Sequence, residues 1–200
     1  MNKDFTTIFK LCQQVLENIN SIRQSLVKAC LETLNAFLSW IPLYFIIYTD
    51  LIDRLCLLFP SDYLRNHALS CLVEIAALPI DDQSEEEKRK FFFMLQRVTE
   101  ELGKLIPINE DDEKIQQQLQ SVRRKHHSIF EVLARGIANF YSEFFRHQHR
   151  WVEKAVVGNE EGVTVCRFGF RYLLIMMRID EDQVFKITID FFHYYLGAYL

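Results

Sequence analysis

The sequence predicts an all-α fold: an α-solenoid of antiparallel helix pairs stacked in a curved two-layer array. Three observations predict it. Apolar residues recur at helical spacing along most of the 200 residues. Helices are separated by proline and short polar clusters rather than by long loops. A unit of helix, tight break and second helix returns along the chain, and such recurrence is how stacked repeats look in sequence.

A first helix is expected over 4–18, with Phe5, Ile8, Phe9, Cys12, Val15 and Leu16 on one side. The next pair spans 22–59. Its first helix carries two apolar stripes, Leu26-Cys30-Leu34-Phe37-Ile41 and Val27-Leu31-Leu38, so it meets neighbours on more than one side. Pro42 lacks an N–H and clashes with the preceding turn, so that helix breaks near Trp40. Proline is tolerated in a first helical turn, so the partner helix starts almost at once and runs to Leu58, burying Tyr44, Ile47, Leu51, Leu55 and Leu58. The second pair spans 62–106. Leu64, Ala68, Leu72, Ile75 and Leu78 form one stripe, and Ser84 with Glu87 makes a capping box for a helix that buries Phe91, Leu95, Val98 and Leu102.

The third pair spans 113–178. Its first helix is expected to run about forty residues to Glu153, with Gly136 as a weak point costing about 1 kcal/mol against alanine. Residues 158–162 are the one convincing loop, and a helix over 163–178 follows. Asp180 with Gln183 caps a half pair over 180–200, whose inward residues are Phe185, Ile189, Phe192 and Leu196. First helices start near 21, 62, 113 and 180, a period near 40 with insertions, which suits HEAT-type repeats. Residues 1–200 therefore read as a single HEAT-repeat segment, a slice of a longer solenoid. Its terminal helices offer Phe5, Ile8, Phe9 and Val15 at one end and Phe185, Ile189, Phe191, Phe192, Tyr195, Leu196 and Tyr199 at the other. Wet apolar area forfeits about 25 cal/mol per Å2, so self-association through these ends is expected.

Composition excludes several function classes. A formal net charge of −4 lacks the basic stripe of a nucleic-acid binder. The best membrane candidate, 41–59, carries Asp50, Asp53 and Arg54, which are costly in hydrocarbon. Five scattered cysteines without a CxxC, and no basic-then-apolar leader, read as reduced and mostly buried thiols. No metal site is expected: on one helix His127 and His147 would stand about 30 Å apart, too far for His126, His127, His147 and His149 to share an ion. GxSxG, HExxH, GxxxxGK[ST] and GxGxxG motifs are absent from the sequence, so no catalytic or cofactor-binding residue is expected.

ETLNAFLSWIPLYFI (Glu32 to Ile46), RNHALSCLVEIA (Arg65 to Ala76), FKITIDFFHYYLGAYL (Phe185 to Leu200) and FKLCQQVLENI (Phe9 to Ile19) resemble the karyopherin-β family, in its branch of nuclear exportins for leucine-rich export signals. The resemblance runs from about Phe5 to Ile106 and from about Phe140 to Leu200, with 109–125 divergent. It implies a segment covering roughly repeats four to eight, about a fifth of a receptor that shuttles between nucleus and cytoplasm. It also implies Ran-GTP, export-signal cargo and nucleoporins as partners. The family's cargo groove with its reactive cysteine, and its long acidic loop, lie outside this stretch, so none of the five cysteines inherits that role. A structural HEAT scaffold that assembles other proteins is the alternative; the long helix from Glu113 and the irregular spacing favour the receptor.

Two charged features are candidate partner contacts. The acidic clusters over 81–87 and at Glu110, Asp111, Asp112 and Glu113 stand where helices begin, where carboxylates favour the free N–H groups. They also suit a basic partner such as Ran. Arg167, Arg171 and Arg178 share a polar stripe on a helix that the resemblance places on the inner surface, either as a solvated face or as a partner contact. Trp40 and Trp151 are expected as core or junction anchors.

Overall fold

The computed structural model describes residues 3–81, 84–107, 114, 115, 117, 119 and 127–197. Nine α-helices have definite bounds among them: α1 (Lys3–Glu17), α2 (Gln24–Phe37), α3 (Tyr44–Ile47), α4 (Leu51–Cys56), α5 (Arg65–Ala76), α6 (Glu85–Leu105), α7 (His127–Val156), α8 (Glu160–Met177) and α9 (Asp182–Gly197). Residues 114, 115, 117 and 119 are helical as well, and no strand occurs among the described residues. The helices form two rows. In one, α2 packs on α5, α5 on α7 and α7 on α9; in the other, α1 meets α4, α4 meets α6 and α6 meets α8. This is the all-α, HEAT-like solenoid that the periodicity predicts.

The breaks show why the elements end where they do. After α2 the chain tightens into a 3-10 turn at Leu38–Trp40, and Ile41 is extended, as the residue before proline must be. The expected single helix from Pro42 to Leu58 is instead divided into α3 and α4. Thr49 divides it: its hydroxyl donates to the Phe45 carbonyl (2.7 Å), and the Leu51 N–H turns to that hydroxyl (3.4 Å). Lys90 of α6 takes the Thr49 carbonyl at 2.9 Å, so the carbonyl is satisfied outside the helix. The turn after Pro60 is held by buried Arg65, which donates to the carbonyls of Phe59 and Pro60 and pairs with Asp62 at 2.9 Å.

At the start of α6 the Ser84 hydroxyl accepts from the Glu87 N–H (3.3 Å), but the Glu87 carboxylate reaches past Ser84 to the Asp81 N–H (2.8 Å). The expected loop over 158–162 shortens, because α8 already starts at Glu160. Asn159 caps it by accepting from Gly162 N (3.1 Å), and Gly158 takes a left-handed φ of 76°. At the start of α9, the Glu181 carboxylate supplies a capping oxygen, accepting from the Val184 N–H at 2.6 Å.

The core centres on α7. Phe140, Tyr141, Phe144 and Phe145 are all buried on it. Tyr141 stacks on Tyr172 of α8 (centroids 5.5 Å), and Phe145 stacks on Phe170 (4.5 Å) while meeting Phe191 of α9 at 6.4 Å. Their polar tips are satisfied: Tyr141 shares a 3.0 Å hydrogen bond with Thr99, and Tyr172 donates to the Ile106 carbonyl at 2.9 Å. This block overturns the expected phase of α9. Val184, Thr188 and Phe191 are buried, whereas Phe185 (47%), Ile189 (40%) and Leu196 (60%) are exposed. The aromatics of α7 and α8 draw in Phe191 and Tyr195, and the helix turns accordingly. At the other end Phe9, Cys12 and Leu16 are buried, while Ile8, Leu11 and Leu26 are exposed.

Two glycines set how closely α7 is approached. A Cβ on Gly136 would lie 2.7 Å from Leu69 Cδ2 on α5, so the residue that reads as a helix weakness is a packing requirement. A Cβ on Gly169 of α8 would meet the Phe145 ring at 2.8 Å and the Tyr141 ring at 2.9 Å. The rings sit in a stacked block and cannot step aside, whereas the tip of Leu69 can rotate. Gly169→Ala is expected to destabilise the chain by about 1–3 kcal/mol in urea denaturation, and Gly136→Ala by less. A stabilising Gly169→Ala would contradict this packing.

Candidate partner-binding surface

The outward stripe of α8 follows helical arithmetic. Glu160, Thr164, Arg167, Arg171, Leu174 and Arg178 recur at steps of three and four, and all but half-buried Arg171 are exposed. The structure thus brings the three candidate arginines onto one face. Arg171 and Arg178 interact within the chain as well. Leu174, 51% exposed between them, adds an apolar contact that charge counting does not reveal. Glu110, Asp111, Asp112 and Glu113 lie outside the described residues.

Beside this stripe, α6 and α8 enclose a groove of about 290 Å3 lined by Thr99, Glu100, Lys104, Val165, Phe168 and Tyr172. Gln96 donates to Glu161 across it at 2.9 Å. Burial pushes the Tyr172 phenol well above its ordinary value, so it remains a neutral donor. Arg97 stands at the centre of the neighbouring ion network, 2.8 Å from Glu100, 3.5 Å from Glu101 and 3.9 Å from Asp53 on α4. The hydrogen bond to Glu100 is the main cause that raises its pKa. Arg97, which the sequence reading missed, ties α4 to α6; the helical pairs to Glu100 and Glu101 were visible at spacings of three and four, but the bond to Asp53 was not.

The acidic start of α6 is committed internally. Glu85 pairs with Lys88 at 2.9 Å, Glu86 accepts from the Tyr48 hydroxyl at 2.6 Å, and Glu87 caps. That bond to Glu86 is the main reason the Tyr48 phenol titrates higher than usual. Trp40 departs from expectation: it is 73% exposed, because the 3-10 turn carries it off the apolar stripe of α2. Trp151 is buried, donating its indole N–H to Gln148 at 2.9 Å. His147 lies 3.3 Å from Glu143, and the His149 ring contacts the Arg146 carbonyl at 3.2 Å. Among the described residues no group of three or more His, Cys, Asp or Glu could hold a metal ion, and no helix is long and apolar enough to cross a membrane.

The face thus carries three arginines and an exposed leucine, with a shallow groove beside them. Residues 1–72 match the family described as Exportin 1-like protein. Protein EXPORTIN 1A of Arabidopsis thaliana is 31% identical over 193 residues, 96% of this chain. The chain is exportin 1-like. Exportin-1 of Schizosaccharomyces pombe is 30% identical over 94% of the chain, and Exportin-1 of Drosophila melanogaster 29% over 96%. Such coverage runs through 109–125 too, where the motifs show no correspondence. The chain spans 16% of the length of the Arabidopsis and Schizosaccharomyces relatives and 17% of the Drosophila one.

Proposed function

We propose that this chain is a non-catalytic segment of a nuclear export receptor, one that shuttles between nucleus and cytoplasm carrying leucine-rich export-signal cargo with Ran-GTP. The observation that supports this most is the alignment over 96% of the chain with an exportin-1 protein. In this reading the two rows of helices are ring scaffold, corresponding to about repeats four to eight. The Arg167, Arg171, Leu174 and Arg178 stripe is part of the Ran contact surface, and nucleoporins are further partners of the receptor. Glu110, Asp111, Asp112 and Glu113 are a second candidate contact. Scaffold and contact need only a fixed surface, which the buried aromatic block on α7 and α8 supplies.

In the full-length receptor, Arg167→Glu is expected to weaken Ran-GTP binding severalfold at low salt, with the difference shrinking as salt rises, because exposed charges act through steering and specificity. Unchanged binding at low salt would remove the stripe from the contact surface. The 200-residue chain alone is expected to show no saturable binding of a fluorescent leucine-rich export peptide, since the groove lies in other repeats; saturable anisotropy would contradict the repeat assignment.

The apolar faces at the two ends of the rows, Ile8, Leu11 and Leu26 at one and Phe185, Ile189 and Leu196 at the other, favour association of this chain with itself. Light scattering at rising concentration is expected to show a mass above the monomer, reduced by Phe185→Ser with Leu196→Ser. A strict monomer at high concentration would exclude it.

A further inference from the structure

Where α1 crosses α2, two cysteines face each other across the helix contact. Cys12 Sγ lies 3.9 Å from the Cys30 carbonyl oxygen, and Cys30 Sγ lies 3.6 Å from the Cys12 carbonyl oxygen. Each thiol therefore reaches the other residue's backbone, so both sulfurs lie in the contact between the two helices. Both residues also line an apolar groove of about 240 Å3 between α1 and α2, together with Ile8, Leu11, Val15 and Leu26. The groove is open at its exposed rim of Ile8, Leu11 and Leu26, so a small neutral molecule can enter.

The other cysteines are placed differently. Cys71 is fully buried, with its thiol turned to the Leu31 carbonyl at 3.4 Å. Burial pushes Cys56 up to about 12 and Cys166 up to about 11, which keeps both as unreactive thiols. The facing pair splits instead. Cys12 is held below the ordinary thiol value, chiefly by the hydrogen bond from Cys30, and Cys30 is pushed up chiefly by that same bond. A hydrogen bond from the Cys30 thiol to the Cys12 sulfur favours Cys12 as the attacking sulfur, with Cys30 as the second thiol.

We propose that Cys12 and Cys30 form a reversible oxidation site, in which a hydroperoxide entering the α1–α2 groove converts the pair to a disulfide. The Cys12 thiolate attacks one peroxide oxygen and the O–O bond breaks. The departing alkoxide, or hydroxide from hydrogen peroxide, takes up a proton, and Cys12 becomes a sulfenic acid. Cys30, having given up its proton, then attacks the Cys12 sulfur; the S–O bond breaks and hydroxide leaves as water. In total two thiols and one hydroperoxide give a disulfide, an alcohol or water, and a second water. A dithiol reverses the reaction by exchange. The product staples α1 to α2 across 18 residues of sequence, fixing one joint of the helix rows.

The test treats the folded 200-residue chain with hydrogen peroxide, alkylates the remaining thiols and maps peptides without reduction. A Cys12–Cys30 cross-linked peptide is expected, lost on dithiothreitol, and oxidation is expected to raise the melting temperature by a few degrees. Cys12→Ser and Cys30→Ser should each abolish both the cross-link and the rise, with circular dichroism confirming that they fold; if either fails to fold, the wild-type map alone decides. Recovery of Cys12 and Cys30 as alkylated thiols while Cys166 is oxidised would overturn the proposal. So would a Cys30–Cys71 pair, or a Cys12–Cys30 cross-link that forms only in denaturant.

Discussion

Close approach to α7 is the constraint on which the rest of the structure depends. This thirty-residue helix touches α5, α8 and α9, and the contacts with α5 and α8 need something small or polar at a set place. Gly136 admits Leu69, Gly169 admits the stacked rings of Tyr141 and Phe145, and buried Gln148 closes the join to α5. Its amide donates to the Ala76 and Leu78 carbonyls at 3.2 and 2.9 Å, and its oxygen accepts from Trp151. Carbonyls at a helix end that would otherwise lie orphaned are thus satisfied from the neighbouring helix, where an unmade hydrogen bond costs about 1–3 kcal/mol. The aromatic block on the other side then fixes how α9 turns.

How far the sequence discloses this varies with the kind of interaction. Apolar periodicity located α1, α2, α5, α6 and α8 to within a few residues, because burial of one stripe is a local pattern. It failed where a single polar contact decides. Thr49 splits a helix through its own hydroxyl and a lysine forty-one residues away. On α9 two apolar stripes compete, and only the position of the Phe145 and Phe170 rings selects Phe191 over Phe192. Gly136 looked like a defect because its value lies in Leu69, which sequence spacing does not connect to it. The α8 arginine stripe was legible from its spacing, whereas Leu174, Arg97 and the exposure of Trp40 depend on neighbours distant in sequence.

The same physics bears on function. A solenoid stacks repeats that each contact only their neighbours, so its helices offer repeated faces along an extended surface. The carboxylates at the start of α6 are absorbed by Lys88, Tyr48 and the cap, which leaves the α8 face as the better described candidate for a partner. That face is only as well defined as the packing beneath it, since Gly169, Tyr172 and Leu173 on the reverse of α8 are buried against the core.

Amide hydrogen exchange across α7 therefore tests the central claim most directly. If the helix is the element that joins the rows, amides over 137–148 exchange only through global unfolding, are the slowest in the chain, and share one free energy of opening with those of α5 and α8. Exchange of that stretch at the rate of the helix ends, or with an opening energy well below that of α5, would contradict the account.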